Sequence, residues 1–323
     1  MTAISMPSGK AAVRGRNGMS ERVAFGLMVA ALIVAPLYVY PPFLMKALCF
    51  AMFACAFNLL IGYVGLLSFG HALYFGWASY LSAHAAKVWG FPTELAILAG
   101  TATAAVFGLV SGALAIRRQG IYFAMITLAL AQMMFLVAVR SQFTGGEDGI
   151  QGVPRGTLLG LVDLKNDTAM YVFVAAIFLA VFLLIYRIVN SPFGEVLKAI
   201  RENEARAVSL GYRTERYKLA AFVLSATLAG VAGATKAIVL QIASLTDVNW
   251  PMSGEVVLMV LVGGLGTVFG PVVGAVVIIA MQNYLAQVGE WVTVIQGAIF
   301  VACVLLFRRG IVGEIAHLLR VKL

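Results

Sequence analysis

The sequence is dominated by apolar stretches of about 18 residues or more, separated by short polar breaks, a length that matches the hydrocarbon core of a bilayer. The stretches are continuous rather than alternating. Backbone in lipid must satisfy its own hydrogen bonds, so these runs predict membrane-spanning helices and not barrel strands. Charged residues are only 11% of the chain and apolar ones 62%, which excludes an ordinary soluble domain. The net charge of +9 is explained by basic loops on one side of a membrane and gives no reason to expect nucleic acid. Cys49, Cys55 and Cys303 lie inside apolar runs with no zinc-like spacing. They read as packing residues, and no metal or cofactor is expected.

Charge asymmetry sets the predicted path. Residues 1–22 form a polar, basic tail (Lys10, Arg14, Arg16, Arg22), read as cytoplasmic and uncleaved. Val23–Tyr40 leads out, Phe43–Ile61 returns and Leu66–Ala86 leads out again. Leu95–Ile116 comes back to the basic pair Arg117-Arg118, and Ile121–Val139 exits to an outer loop, residues 140–167, with three basic and four acidic side chains. Thr168–Tyr186 returns to a charged segment, residues 190–217, and Leu219–Leu240 exits once more. Glu255–Gln287 is too long for one span and short for two, and its glycines and Pro271 predict a half-helix followed by a longer one. Trp291–Phe307 ends at Arg308-Arg309, before a cytoplasmic tail, residues 309–323. The expected fold is an all-α polytopic membrane protein. It has about ten transmembrane or half-membrane helices within residues 23–308 and both termini cytoplasmic.

The charged segment stands apart: Arg187 to Lys218 carries seven Lys/Arg and four Glu. It predicts one amphipathic helix, capped by Ser191, with Pro192 at the first helical position and Gly211 closing the end. Glu195, Lys198, Glu202 and Arg206 share a solvated face. Phe193, Leu197, Ile200, Ala207 and Val208 form the opposite face, with Glu204 in its middle. Such a helix either lies in the headgroup layer or serves as a lever that another protein pushes.

Two other regions break the pattern of plain spans. Asn58–Ala83 contains Gly62, Gly65, Gly70 and Gly76 with Ser68, Phe69 and His71; Val262–Gly274 contains Gly263, Gly264 and Gly266. Irregular backbone at membrane depth is tolerated where it is buried in protein or lines a water-filled path, so both regions are candidates for a translocation route. The same glycines also suit close helix–helix packing. His71, the one ionisable group placed near mid-span, serves either packing or proton relay. Lys46, Lys236 and Glu255 read as boundary residues whose long side chains reach the interface. No Asp or Glu falls at mid-membrane, and there is no G-x-x-x-x-G-K-[ST] for ATP. The chain is therefore not expected to be an enzyme, and a partner ATPase acting on residues 191–211 would supply the missing energy.

GYVGLLSFGHALYFGWASYLSA (Gly62–Ala83) resembles the signature of permease subunits of bacterial branched-chain amino acid ABC importers. The similarity continues through FTGGEDGIQGVP (Phe143–Pro154), SPFGEVLKAIRENEARAVSLGY (Ser191–Tyr212) and GGLGTVFGPVVGA (Gly263–Ala275), and the outer FTGGEDGIQGVP loop points to the M-type of the two paired permeases. The resemblance implies a second homologous permease, two cytoplasmic ATP-binding subunits and a periplasmic solute-binding protein, all assembled at a bacterial inner membrane. It gives the Ser191–Gly211 segment the coupling role, through Phe193, Leu197, Ile200, Arg201, Glu204, Ala205 and Gly211. Glu204, Ala205 and Gly211 match a loose EAA…G loop, although Arg206 departs from it and the distal I-x-L-P is absent. Related importers carry urea or short amides. An ion-coupled secondary carrier is the alternative of a different class.

Overall fold

The computed structural model describes residues 9–158, 160, 162–285, 294, 295, 297, 298, 301 and 310–318, with backbone alone for 9–21 and 315–317. Among the described residues, five helices are long and apolar enough to cross a membrane: α2 (Pro41–Tyr63), α4 (Thr93–Ala115), α5 (Ile121–Arg140), α6 (Asp167–Val189) and α9 (Thr214–Leu240). Around them stand α1 (Gly9–Tyr38), α3 (His71–Lys87), α11 (Trp250–Gly263) and α12 (Gly270–Leu285). The chain is an all-α, multi-pass membrane protein. Most of the predicted span Trp291–Phe307 lies outside the described residues, as do Cys303 and residues 319–323 of the C-terminal tail.

Two of the helices show how the sequence supplies a start signal. Pro41 and Pro42 occupy the first turn of α2, where a missing N–H costs nothing, and the Asn166 side chain accepts from the Thr168 amide (3.0 Å) to cap α6. α2 and α9 form the centre. Nearly every residue of α2 from Met45 to Tyr63 is buried, including the free thiols Cys49 and Cys55. α9 is rich in Ala and Gly, and its neighbours come close: a Cβ on Gly233 would strike the Phe75 carbonyl of α3, and one on Gly230 would strike Ala104 of α4. α4, α5 and α6 turn Leu98, Val106, Met125, Leu136, Val172 and Leu183 outward as an apolar surface suited to lipid.

Two termination sites differ from the sequence expectation. The predicted span Leu66–Ala86 is helical only from His71 to Lys87. Residues 64–70 leave the helix because Gly65 takes φ +81° and the Ser68 hydroxyl accepts from the Gly70 amide (3.2 Å). The predicted single helix from Ser191 to Gly211 is two, α7 (Pro192–Glu202) and α8 (Glu204–Ser209). Asn203, extended at φ −158°, ends α7 and caps α8, its side chain accepting from the Arg206 amide (2.9 Å).

At the end opposite α7 and α8, residues 141–166 are strapped to the bundle. β1 (Ile150–Gln151) pairs antiparallel with β4 (Ile242–Ala243), which follows α9, and β2 (Thr157–Leu158) pairs with β3 (Val162–Asp163). Arg155 pairs with Asp167 (2.6 Å) and donates to the Val239 carbonyl (3.0 Å). α10 (Leu245–Val248) then packs beneath Gly76, whose missing side chain makes room for Val248.

Candidate functional site

The charged segment begins and ends on α6 and α9, so its position is fixed by two long helices. Ser191 accepts from the Gly194 amide (3.4 Å) and Pro192 opens α7, as its sequence predicts. Leu197 and Ile200 are buried, and Phe193 stacks on Tyr217 of α9 with ring centroids 5.7 Å apart. The apolar face of α7 is therefore turned into the chain's own bundle and is not open to another protein.

Glu204 is also turned inward. Its carboxylate pairs with Lys218 of α9 (2.5 Å), accepts from Thr214 Oγ1 (3.1 Å) and accepts from Gln119 Nε2 (3.0 Å) in the α4–α5 turn. Sequence periodicity places Glu204 at the centre of one docking face. The break at Asn203 rotates it instead onto α9, where it braces three elements. The end of α8 and the residues after it turn apolar side chains outward beside the exposed Arg206 and Ser209: Val208, Leu210 and Tyr212 are 55%, 70% and 41% exposed. Ala205 is exposed beside them, and Gly211 closes the segment at φ +88° with open space around its Cα.

Arg201, in the last turn of α7, reaches the bundle. Its Nη1 donates to the Gly62 carbonyl at the end of α2. Its aliphatic stem crosses Gly65, where a Cβ would lie 3.1 Å from Arg201 Cγ, and its tip lies against Gly266, where a Cβ would lie 3.2 Å from Nη1. Gly65, Gly264 and Gly266 all have positive φ (81°, 127° and 77°), which L side chains adopt only under strain. Asn58 ties the same two breaks together: its Nδ2 donates to the Thr267 carbonyl (2.8 Å) and its Oδ1 accepts from the Gly266 amide (3.0 Å). Gly263 packs on the Gly270 backbone, closing the α11–α12 turn. The two glycine-rich regions, far apart in sequence (208 positions separate Asn58 and Gly266), thus meet at one place under α7.

From Gly65 the chain runs back into the bundle, with Ser68 and Gly70 buried and Phe69 half-buried. Gly70 rests on the Thr127 backbone of α5. His71 Nε2 lies 2.9 Å from Ser225 Oγ, 11 residues into α9, so α3 starts about 16 Å from that helix's beginning. Ser225 donates its own proton to the Ala56 carbonyl (2.6 Å), so Nε2–H is the donor of the His71–Ser225 bond and Nδ1 carries the lone pair. The ring is caged edge-on by Phe57, Tyr74 and Phe222. His71 joins α2, α3 and α9, and among the described residues no Asp or Glu contacts it that could relay a proton.

The boundary reading fails at Lys236. Its ammonium does not reach the interface but pairs with Asp247 of α10 (2.6 Å), both side chains almost wholly buried, and Asp247 also accepts from the Ser244 amide (3.2 Å). Lys46 does border open space, a cavity of about 390 Å³ that it lines with Tyr38, Tyr40 and Tyr284. Among the described residues no group of His, Cys, Asp and Glu is placed to hold a metal ion. Asn58, Gln119, Lys218 and Ser225 are the site residues that sequence reasoning missed. Asn58, a polar residue inside an apolar run and one helical turn before Gly62, carried the one usable signal.

Long apolar helices, backbone breaks buried in protein and a charged segment seated over those breaks define a membrane transport protein of the permease type. The chain belongs to the family described as "Branched-chain amino acid transport system / permease component", which matches residues 39–304. It is 26% identical over 288 residues to the "High-affinity branched-chain amino acid transport system permease protein LivM" of Escherichia coli, across 82% of this chain and 68% of that protein. The protein of the same description from Salmonella typhimurium is 27% identical over 289 residues, with the same 82% and 68% coverage. No solved structure gives a significant match.

Proposed function

We propose that this chain is the M-type permease subunit of an ATP-driven importer that carries branched-chain, neutral apolar amino acids across a bacterial inner membrane. Its partners are a second homologous permease, two cytoplasmic ATP-binding subunits and a periplasmic solute-binding protein. The N and C termini, α7 and α8 are cytoplasmic, and residues 140–167 are periplasmic. The observation that carries this reading is the two-sided build of the charged segment. One side is braced into the bundle through Leu197, Ile200, Glu204 and Arg201, while the other presents Val208, Leu210 and Tyr212 to solvent. A lever needs both a fixed attachment and a free apolar contact surface for the ATPase.

The apolar, small-residue composition of the glycine-broken region supports an uncharged solute side chain, and family membership supports leucine, isoleucine or valine. Specificity is set mainly by the external binding protein. Reconstitution tests this directly. Liposomes holding the full assembly with the binding protein take up leucine when ATP is supplied, and liposomes holding this chain alone do not. Uptake by the chain alone under an ion gradient would replace the proposal with a secondary carrier, and uptake of urea in place of leucine would overturn the solute assignment.

A further inference from the structure

We infer that Arg201 is the residue through which movement of the coupling segment opens the inner end of the route, acting as a clasp across the two glycine breaks. The inference builds on the proposed function and adds the path that force takes inside this chain.

The argument begins with the end of α2. Its last turn leaves carbonyls without intrahelical donors. Leu66, whose amide would have continued the ladder to Gly62, turns back to the Leu60 carbonyl instead (3.3 Å). Arg201 fills that gap by donating to the Gly62 oxygen. α11 ends at Gly263, beside the same place, with Gly266 against the Arg201 tip. The C-terminus of α2, which carries roughly half a negative elementary charge, and the turn that follows α11 therefore meet here. The Arg201 guanidinium donates to the first and lies against the second at Gly266, and its planar fork leaves further N–H groups for that turn in a way that an ammonium does not. Among the described residues Arg201 has no carboxylate partner, so its charge faces this backbone alone.

The glycines fit this role. At Gly65 and Gly266 the backbone takes positive φ, and the absent side chains also leave the channel in which the Arg201 stem and head lie. Asn58 bridges the breaks from within α2 and moves with the bundle. Arg201 alone among these contacts is carried on α7. A shift of α7 thus withdraws the donor from Gly62 and the guanidinium from beside Gly266, and the Asn58 bridge is then what holds the breaks together. Arg201 as a residue is nonetheless exposed, so the clasp opens without unburying a charge from the core. Arg201 is a positioning residue. It touches backbone and acts through the two breaks.

The test is the number of leucine molecules taken up per ATP hydrolysed by the complete reconstituted transporter, compared for wild type, Arg201→Met and Arg201→Lys, with the yield of assembled complex measured alongside. Arg201→Met should lower that ratio about tenfold, the equivalent of one charge-assisted hydrogen bond. Arg201→Lys, with the charge but not the fork, should fall between. A ratio unchanged in Arg201→Met overturns the inference, and so does a fall in assembled yield with the ratio intact, because the contact would then be structural only. If Arg201→Met does not assemble, Arg201→Lys decides: a ratio equal to wild type overturns the clasp and a lower one supports it. Should the wild-type assembly itself show no ATP-dependent uptake, the functional reading falls and the clasp with it; wild-type coupling with equal coupling in the variants removes the clasp alone.

Discussion

Replacing Glu204 by Gln probes the brace between α8 and the bundle. The Lys218 side chain is 6% exposed and that of Glu204 25%, so the pair lies between a surface ion pair and a buried one. Exposed pairs contribute about 0–1 kcal/mol. Removing one partner from a buried pair costs about 3–5 kcal/mol, because the other charge is left unpaired. The intermediate burial places Glu204→Gln at a loss of about 2 kcal/mol. Thr214 and Gln119 both donate to the carboxylate, so the amide also loses an acceptor facing one of them. The assay is equilibrium unfolding of the purified chain in detergent micelles, run as a cycle with Lys218→Met and the double variant. Removing both charges relieves the buried ammonium, so the double variant should be more stable than Glu204→Gln alone, with a coupling energy of about 1.5 kcal/mol. A coupling energy under about 0.5 kcal/mol would show that Glu204 and Lys218 act independently and would refute the brace.

Four other outcomes follow from the packing. Lys236→Met should destabilise the chain by about 3–5 kcal/mol by stranding the Asp247 carboxylate, and Lys236→Met with Asp247→Leu should recover most of it in the same unfolding assay. Ser225→Ala should cost about 1–3 kcal/mol, since His71 Nε2–H and the Ala56 carbonyl both lose a buried partner. Gly70→Leu drives a side chain into the Thr127 backbone, so the yield of folded protein should collapse before transport can be measured; Gly254→Ala, on a helix with nothing within 4 Å, should leave the yield intact. Leu210→Asp should reduce recovery of the ATP-binding subunits on co-purification while leaving the thermal stability of the isolated chain unchanged, because Leu210 is 70% exposed.

Features that depend on composition and local chemistry were readable from the sequence: the apolar spans, the capping at Ser191 and Pro192, and the glycine breaks. Each is written in consecutive residues and follows from helix length, caps and φ preference. Features that depend on rotation or on distant partners were not. Periodicity carried a single helix through Asn203 and so put Glu204 on the wrong face, although Asn at 203 is itself an N-cap signal. Lys236 looked like a boundary lysine because its partner, Asp247, stands beyond a turn in the chain. The meeting of Gly62 with Gly266 required the tertiary fold, as did the reach of Arg201 between them. Glycine marked both breaks without saying that they face each other.

The central claim is that a separate ATPase drives this permease through residues 191–211. The direct measurement places a photo-reactive side chain at Val208 or Leu210 in a transporting, fully assembled complex and identifies what it captures. The account predicts capture of the nucleotide-hydrolysing subunit from both positions, and none from the buried Leu197. Labelling of lipid alone, in an assembly that still transports, would mean that the segment lies in the headgroup layer and that the drive enters elsewhere.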